Sequence, residues 1–187
     1  MPTVWCCATV TSMDGSTPSA ERRRHAVREM ILLALMGALT FALKMAMAQL
    51  PNLEPVSLMV MLLAACFGWK GLCAVYLYVL LEIAVWGAGL WSICYLYVWL
   101  VLFSAARLLR KMESPLGWAA LSGCFGLLFG GLCALVYWAA GGWAAAVSWW
   151  VAGIPWDLIH GAGNFAVALV LFKPMRRLLT ALRQRYG

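Results

Sequence analysis

Six apolar runs, divided by short polar breaks, constrain this 187-residue chain more than any other feature. They cover about 27–48, 56–67, 72–85, 92–109, 116–139 and 152–172. A helix needs about 20 residues to cross the hydrocarbon core of a bilayer. The second and third runs fall short of that length, but Lys70 in the break between them argues for two crossings rather than one shallow hairpin. Hydrophobic residues make up 65% of the chain and charged residues 11%, against roughly 45–50% and 25% in soluble domains. A water-soluble chain of this length cannot hide that much apolar surface. The expectation is an all-α membrane protein with six transmembrane helices. A cytosolic enzyme, a disordered tail and a secreted disulfide scaffold are excluded.

The net charge of +7 suggests a nucleic-acid partner until the positions of the charges are read. Of the 14 Lys and Arg residues, all but Lys44 lie between or beside apolar runs. Arg22 to Arg28 precede the first run, and Lys70 lies between the second and third. Arg107, Arg110 and Lys111 lie between the fourth and fifth, and Lys173 to Arg185 follow the sixth. The alternate connections, 49–55, 86–91 and 140–150, carry no Lys or Arg. With six spans every basic cluster falls on one side, and the positive-inside rule makes that side cytoplasmic, with both termini there. This is a topology signal and not a phosphate-binding stripe, so no nucleic acid is expected. Trp86, Trp91, Trp138, Trp143, Trp149, Trp150 and Trp156 fall at or near the other end, as interfacial anchors or as the lining of an aromatic pocket.

The chain divides into an N-terminal tail over 1–26, a membrane domain over 27–175 and a basic cytoplasmic tail over 176–187. The first tail holds polar residues and then Arg22-Arg23-Arg24, with no apolar stretch behind basic residues. It reads as a mobile cytoplasmic segment rather than a signal peptide. The 7 cysteines include no C-x-x-C pair and read as small buried hydrophobes with no disulfide framework, metal or redox role.

Ionisable side chains inside apolar spans cost roughly 2.5–3.5 kcal/mol each on insertion scales, and they default to functional candidates. Four occur here, Lys44, Glu82, Asp157 and His160, and Asn164 adds an amide. All four ionisable groups lie in the outer half of their runs. At 100° per residue Asp157, His160 and Asn164 share one helical face. Tyr78, Glu82 and Trp86 form one i, i+4, i+8 stripe, and Trp91, Tyr95 and Trp99 form another. A pocket open to the outside explains these stripes. Its candidate lining is Asn52, Glu54, Glu82, Tyr95, Trp156, Asp157, His160 and Asn164. Other readings stand beside it: Lys44 snorkelling outward, Glu82 paired with Lys44 as a structural bridge, and His160 packed beside Asp157. Charges of both signs suggest a polar or zwitterionic ligand, and the tryptophans suggest a ring.

The first run carries Ala34, Ala38, Ala42 and Ala46 on one side, a small-residue stripe suited to close helix approach. Lys44 points about 140° away from it. No P-loop, H-E-x-x-H or G-x-S-x-G occurs, so neither ATP hydrolysis nor a hydrolase activity is supported, and no catalytic residue, cofactor or metal is assigned.

The arrangement resembles the substrate-binding S components of energy-coupling factor (ECF) transporters over about 27–180. The resemblance rests on six spans, internal termini and a basic start to the first helix. It also rests on Ala34-x-x-x-Ala38, a first external loop over an outward pocket, and three segments. These are Leu50-Pro51-Asn52-Leu53-Glu54-Pro55, the Trp86 to Trp91 break, and Ile154-Pro155-Trp156-Asp157 with His160 and Asn164. It implies a multi-pass subunit of a bacterial cytoplasmic membrane that captures a vitamin or related micronutrient. Ala34 and Ala38 would dock on a transmembrane T subunit, and two cytoplasmic ATPase subunits would drive release inward. The alternative is a standalone proton-coupled carrier using Glu82, Asp157 and His160.

Overall fold

The computed structural model describes residues 18–48 and 54–186, and within them the chain is helical almost throughout. The elements are α1 (Pro18–Ala46), α2 (Val56–Phe67), a 3₁₀ turn (Gly68–Lys70), α3 (Gly71–Trp86), α4 (Leu90–Leu108) and α5 (Pro115–Tyr186). Four stretches are long and apolar enough to cross a membrane: Glu21–Ala46, Val56–Trp86, Leu90–Leu108 and Pro115–Gln184. Many large apolar side chains, among them Met30, Leu80, Leu128 and Val170, stand exposed on the outside of the bundle. That surface is compatible with a lipid environment.

Two boundaries differ from the sequence reading. Helix α1 begins at Pro18, so Arg22 to Arg24 ride on its first turns instead of in a mobile tail. Proline is favoured at a first helical position because its missing N–H would be unpaired there anyway, and Glu21 adds a favourable charge in that turn. Residues 1–17 lie outside the described residues. At the other end the helix continues to Tyr186 through the basic segment 176–186.

The expected connection 140–150 is also helical, apart from one residue. Gly142 takes φ 77 and ψ −175 and splits α5 into limbs 115–141 and 143–186. Only glycine adopts that region without strain, whereas the flanking Ala-rich stretch favours helix. The limbs fold back on each other. Gly130 meets Asp157, Gly126 meets Gly161, Tyr137 stacks on Trp149 and Trp118 stacks on Phe172. The seam is backbone against backbone: a Cβ at Gly126 would lie 2.8 Å from the Gly161 Cα. Small residues at such a seam are what allow the approach.

Helix α2, the shortest of the five, occupies the centre. Eleven of its 12 residues are buried. At 1.5 Å per residue it is about 18 Å long, well short of a bilayer core, but protein surrounds it. Helices α1 and α3 run parallel: Glu29 pairs with Lys70 at one end, and Lys44 pairs with Glu82 at the other. Helix α4 runs antiparallel to the first limb of α5, with Cys94 bonded to Cys133 and the Tyr97 hydroxyl donating to the Leu132 carbonyl at 2.6 Å. The second limb runs alongside α2. The Asn164 amide donates to Ser57 Oγ at 3.0 Å near the start of α2, and the Arg183 guanidinium donates to the Cys66 carbonyl near its end.

The Cys94–Cys133 disulfide corrects the reading of the cysteines as unpaired hydrophobes. The two residues are 39 positions apart and meet only because α4 packs against α5, a relation that spacing alone does not reveal. Cys66, Cys73 and Cys124 remain free thiols.

Candidate functional site

Four elements and one connection bring polar side chains to the end of the bundle opposite the basic clusters. Helix α1 presents Lys44 inward, toward α3 and α4. Its Nζ lies 3.2 Å from Glu82 Oε2, 3.1 Å from the Tyr95 hydroxyl, 3.3 Å from the Tyr78 hydroxyl and 3.8 Å from Glu54 Oε1. The Tyr95 ring also lies under it, at 5.1 Å. Lys44 is therefore not a snorkelling cation. One ammonium serves two carboxylates and two phenols, and Glu82 Oε1 is left buried without a hydrogen-bond partner. A buried ion pair of this kind holds only while both signs are present, because either charge alone pays the full desolvation penalty.

Beside this group lies a cavity of about 530 Å³, a volume suited to a small molecule. Glu54, Tyr95, Phe129, Trp149, Trp156, Asp157 and His160 line it, with Gly130, Cys133, Ala152 and Gly153 filling the gaps. Asp157 is 7% exposed, and both its oxygens accept from the Gly130 amide, at 3.0 and 3.2 Å. His160 is 4% exposed, its ring packs edge-to-face with Phe129 at 5.1 Å between centroids, and its Nε2 has no hydrogen-bond partner. Trp156, half exposed, stands at the rim. One residue before it, Pro155 interrupts the hydrogen bonding of the second limb, since it has no N–H to offer the Val151 carbonyl.

Burial pushes the Glu54 carboxyl above its usual value. Lys44 pulls it back and Glu82 pushes it further up. Among the described residues no group of three or more His, Cys, Asp or Glu side chains is placed to hold a metal ion. The site offers acceptors, aromatic faces and an imidazole.

Of the eight candidate lining residues, Glu54, Tyr95, Trp156, Asp157 and His160 line the cavity. Glu82 stands behind it, joined through Lys44 to Tyr95 and Glu54. Asn164 shares the helical face of Asp157 and His160 but reaches α2, where Ser57 takes its amide. Asn52 lies outside the described residues. Phe129, Gly130, Cys133 and Trp149 were not among the candidates. Trp149 belonged to the cluster of outer tryptophans, but nothing in the apolar run around Phe129 and Gly130 marks them. The stripe residues separate as well: Trp99 is fully buried in the core, and Trp86 stands exposed, outside the cavity lining.

The other side of α1 is bare. Ala34 and Ala38 are exposed, as are Ile31, Leu35 and Leu39 around them. Gly37, by contrast, faces α3, where a Cβ would lie 2.7 Å from the Ala74 carbonyl oxygen.

Fold and site together describe an all-helical protein, compatible with a membrane, that encloses a polar and aromatic cavity near one end. No family model matches the chain, and no curated protein or solved structure matches it.

Proposed function

We propose that this chain is the substrate-capture subunit of an ATP-driven importer of the ECF type. It binds a vitamin or related micronutrient in the cavity and passes it inward with a T subunit and two ATPase subunits. In this reading the helical rods make six crossings of a bacterial cytoplasmic membrane, with both termini inside, and the protein is a binding subunit rather than an enzyme. The observation that carries it is the convergence of Glu54, Tyr95, Trp156, Asp157 and His160 on one cavity, while the Ala34–Ala38 face of α1, about 100° around that helix from Lys44, stays uncovered. One side of α1 braces the site and the other is free for a partner helix. The disulfide supports the orientation. Cys94 and Cys133 lie toward the end opposite the basic clusters, and disulfides persist in oxidising surroundings.

Co-expression of the chain with the T and ATPase subunits tests this reading. A stable complex is expected, with ATP-dependent uptake into vesicles. Ala34→Trp and Ala38→Trp should abolish uptake and leave binding in the cavity unchanged. Normal transport by both variants removes the docking role of α1.

The proton-coupled carrier has less support. Glu82 is held by Lys44, and Asp157 by the Gly130 backbone. No hydrogen bond joins the two groups or His160 into a relay among the described residues. Uptake driven by a pH gradient in vesicles lacking the ATPases would favour it nonetheless.

A further inference from the structure

The charges of the cavity do not balance, and the imbalance names a class of ligand. Among the described residues Lys44 is the only cation beside the site, and it is already engaged by Glu82, Glu54 and two tyrosine hydroxyls. No Lys or Arg is among the residues that line the cavity. Asp157 faces it with no ion-pair partner among the described residues, its carboxylate held only by the Gly130 amide. Three carboxylates, Glu54, Glu82 and Asp157, thus stand against one ammonium. A carboxylate this buried calls for a positive partner. An anionic ligand would meet like charge here. A zwitterion would find no free cation for its acidic end, which counts against the zwitterionic ligand suggested by sequence alone.

The walls point the same way. Trp149, Trp156, Phe129 and Tyr95 surround the carboxylates, and Trp149 is braced from behind by Tyr137, whose ring stacks on it at 3.9 Å. Aromatic faces attract cations by their quadrupole and flat rings by stacking. The unpartnered Nε2 of His160 leaves one more polar atom for the ligand to satisfy.

We propose that the cavity takes an organic cation, with Asp157 receiving a positively charged nitrogen, Glu54 adding negative potential at the mouth, and Trp149, Trp156 and Phe129 holding an attached ring. This inference rests on the reading of the cavity as a capture site.

The test uses the full chain in lipid nanodiscs and three probes of one shape: benzamidinium, benzamide and benzoate, respectively cationic, neutral and anionic. Tryptophan fluorescence reads binding, and native mass spectrometry identifies any compound retained from the membrane. Benzamidinium is expected to bind at least about tenfold more tightly than the other two, the scale of a hydrogen bond to a charged group. Any retained compound is expected to be a cation with a ring. Asp157→Asn should weaken benzamidinium about tenfold to a hundredfold. Because Asp157 also seats the Gly130 backbone, Trp156→Leu at the exposed rim provides a second variant, with an expected loss of about threefold to thirtyfold. Equal or tighter binding of benzamide or benzoate, a retained anion or neutral compound, or two variants with unchanged affinity overturns the cationic assignment and leaves the capture reading standing. Absence of binding by every probe together with absence of any retained compound overturns both.

Discussion

The Gly130 backbone amide donates to the carboxylate of Asp157 across the seam between the two limbs of α5. The pair is possible because residue 130 has no side chain: a Cβ there would overlap the Asp157 oxygens. The relationship ties the packing of the hairpin to the chemistry of the cavity.

Gly130→Ala is therefore expected to push the limbs apart, lowering stability by about 1–3 kcal/mol, and to weaken ligand binding at the same time. Gly131→Ala is the control. Its nearest neighbour would be the Trp150 ring, at 3.4–3.8 Å, and it should be neutral or stabilising by up to about 1 kcal/mol through helix propensity. Thermal unfolding of both variants in detergent compares them. Equal melting temperatures would show that the seam tolerates the extra methyl.

Removing Lys44 strands one buried acid, Glu82, and one half-buried acid, Glu54. Lys44→Met should destabilise the protein by about 3–5 kcal/mol, the cost of an uncompensated buried charge. The double variant Lys44→Met with Glu82→Gln should recover a substantial part of that loss, since Glu82 is the carboxylate closest to the ammonium. A double-mutant cycle measures the coupling; additive losses would mean that the two residues do not act as a pair.

Binding of a cation should weaken as pH falls. Glu54 ionises at a higher pH than an ordinary glutamate because it is buried, with Lys44 opposing and Glu82 reinforcing the shift. Titratable groups on every neighbouring element surround it: Lys44 from α1, Tyr78 and Glu82 from α3 and Tyr95 from α4 on the ammonium side, and Asp157 and His160 from α5 across the cavity. A carboxyl with a raised pKa is neutralised earlier as acid is added, so the loss begins above the usual glutamate range. Glu54→Gln should flatten this upper part of the profile. Titrations of benzamidinium affinity between neutral and acidic pH give the two curves, and superimposable curves would remove Glu54 from the site.

The disulfide makes a prediction of its own. Cys94→Ser or reduction of the Cys94–Cys133 bond should lower stability by about 2–4 kcal/mol, the typical scale for a native bridge. Cavity affinity should fall with it, because Cys133 is part of the lining and Cys94 precedes Tyr95. Thiol labelling of unreduced protein, compared with reduced protein, reports whether the bond is present. Labelling of both residues before reduction would show that it is not.

Much of the helical layout was legible because membrane-compatible helices announce themselves by apolar length, and because glycines at 68, 87 and 142 punctuate them. The direction of Lys44 was only half readable: sequence sets it away from the alanine stripe of α1, but snorkelling and inward pairing stay equal alternatives until Glu82, Tyr95 and Tyr78 are seen around its Nζ. What escaped depended on relations between distant positions. Cys94 and Cys133 are ordinary apolar-run residues until α4 lies against α5. Asn164 follows the right helical angle, but a helical wheel says nothing of Ser57 on the neighbouring element. Phe129 and Gly130 enter the cavity only because the limbs reverse at Gly142. In sequence the stretch 140–150 reads as a connection because it lies between two apolar runs, whereas a single residue suffices to turn the chain.

Helix α2 touches protein along nearly all its length. Hydrocarbon thickness therefore makes no demand on it, and a short segment suffices where a lipid-facing one would not. The same enclosure leaves it no slack: a methylene added at Val60 or Leu62 would have no outward direction in which to go, and the surrounding helices would have to part to admit it. The hub of this bundle is the region with the least freedom to accept a new side chain.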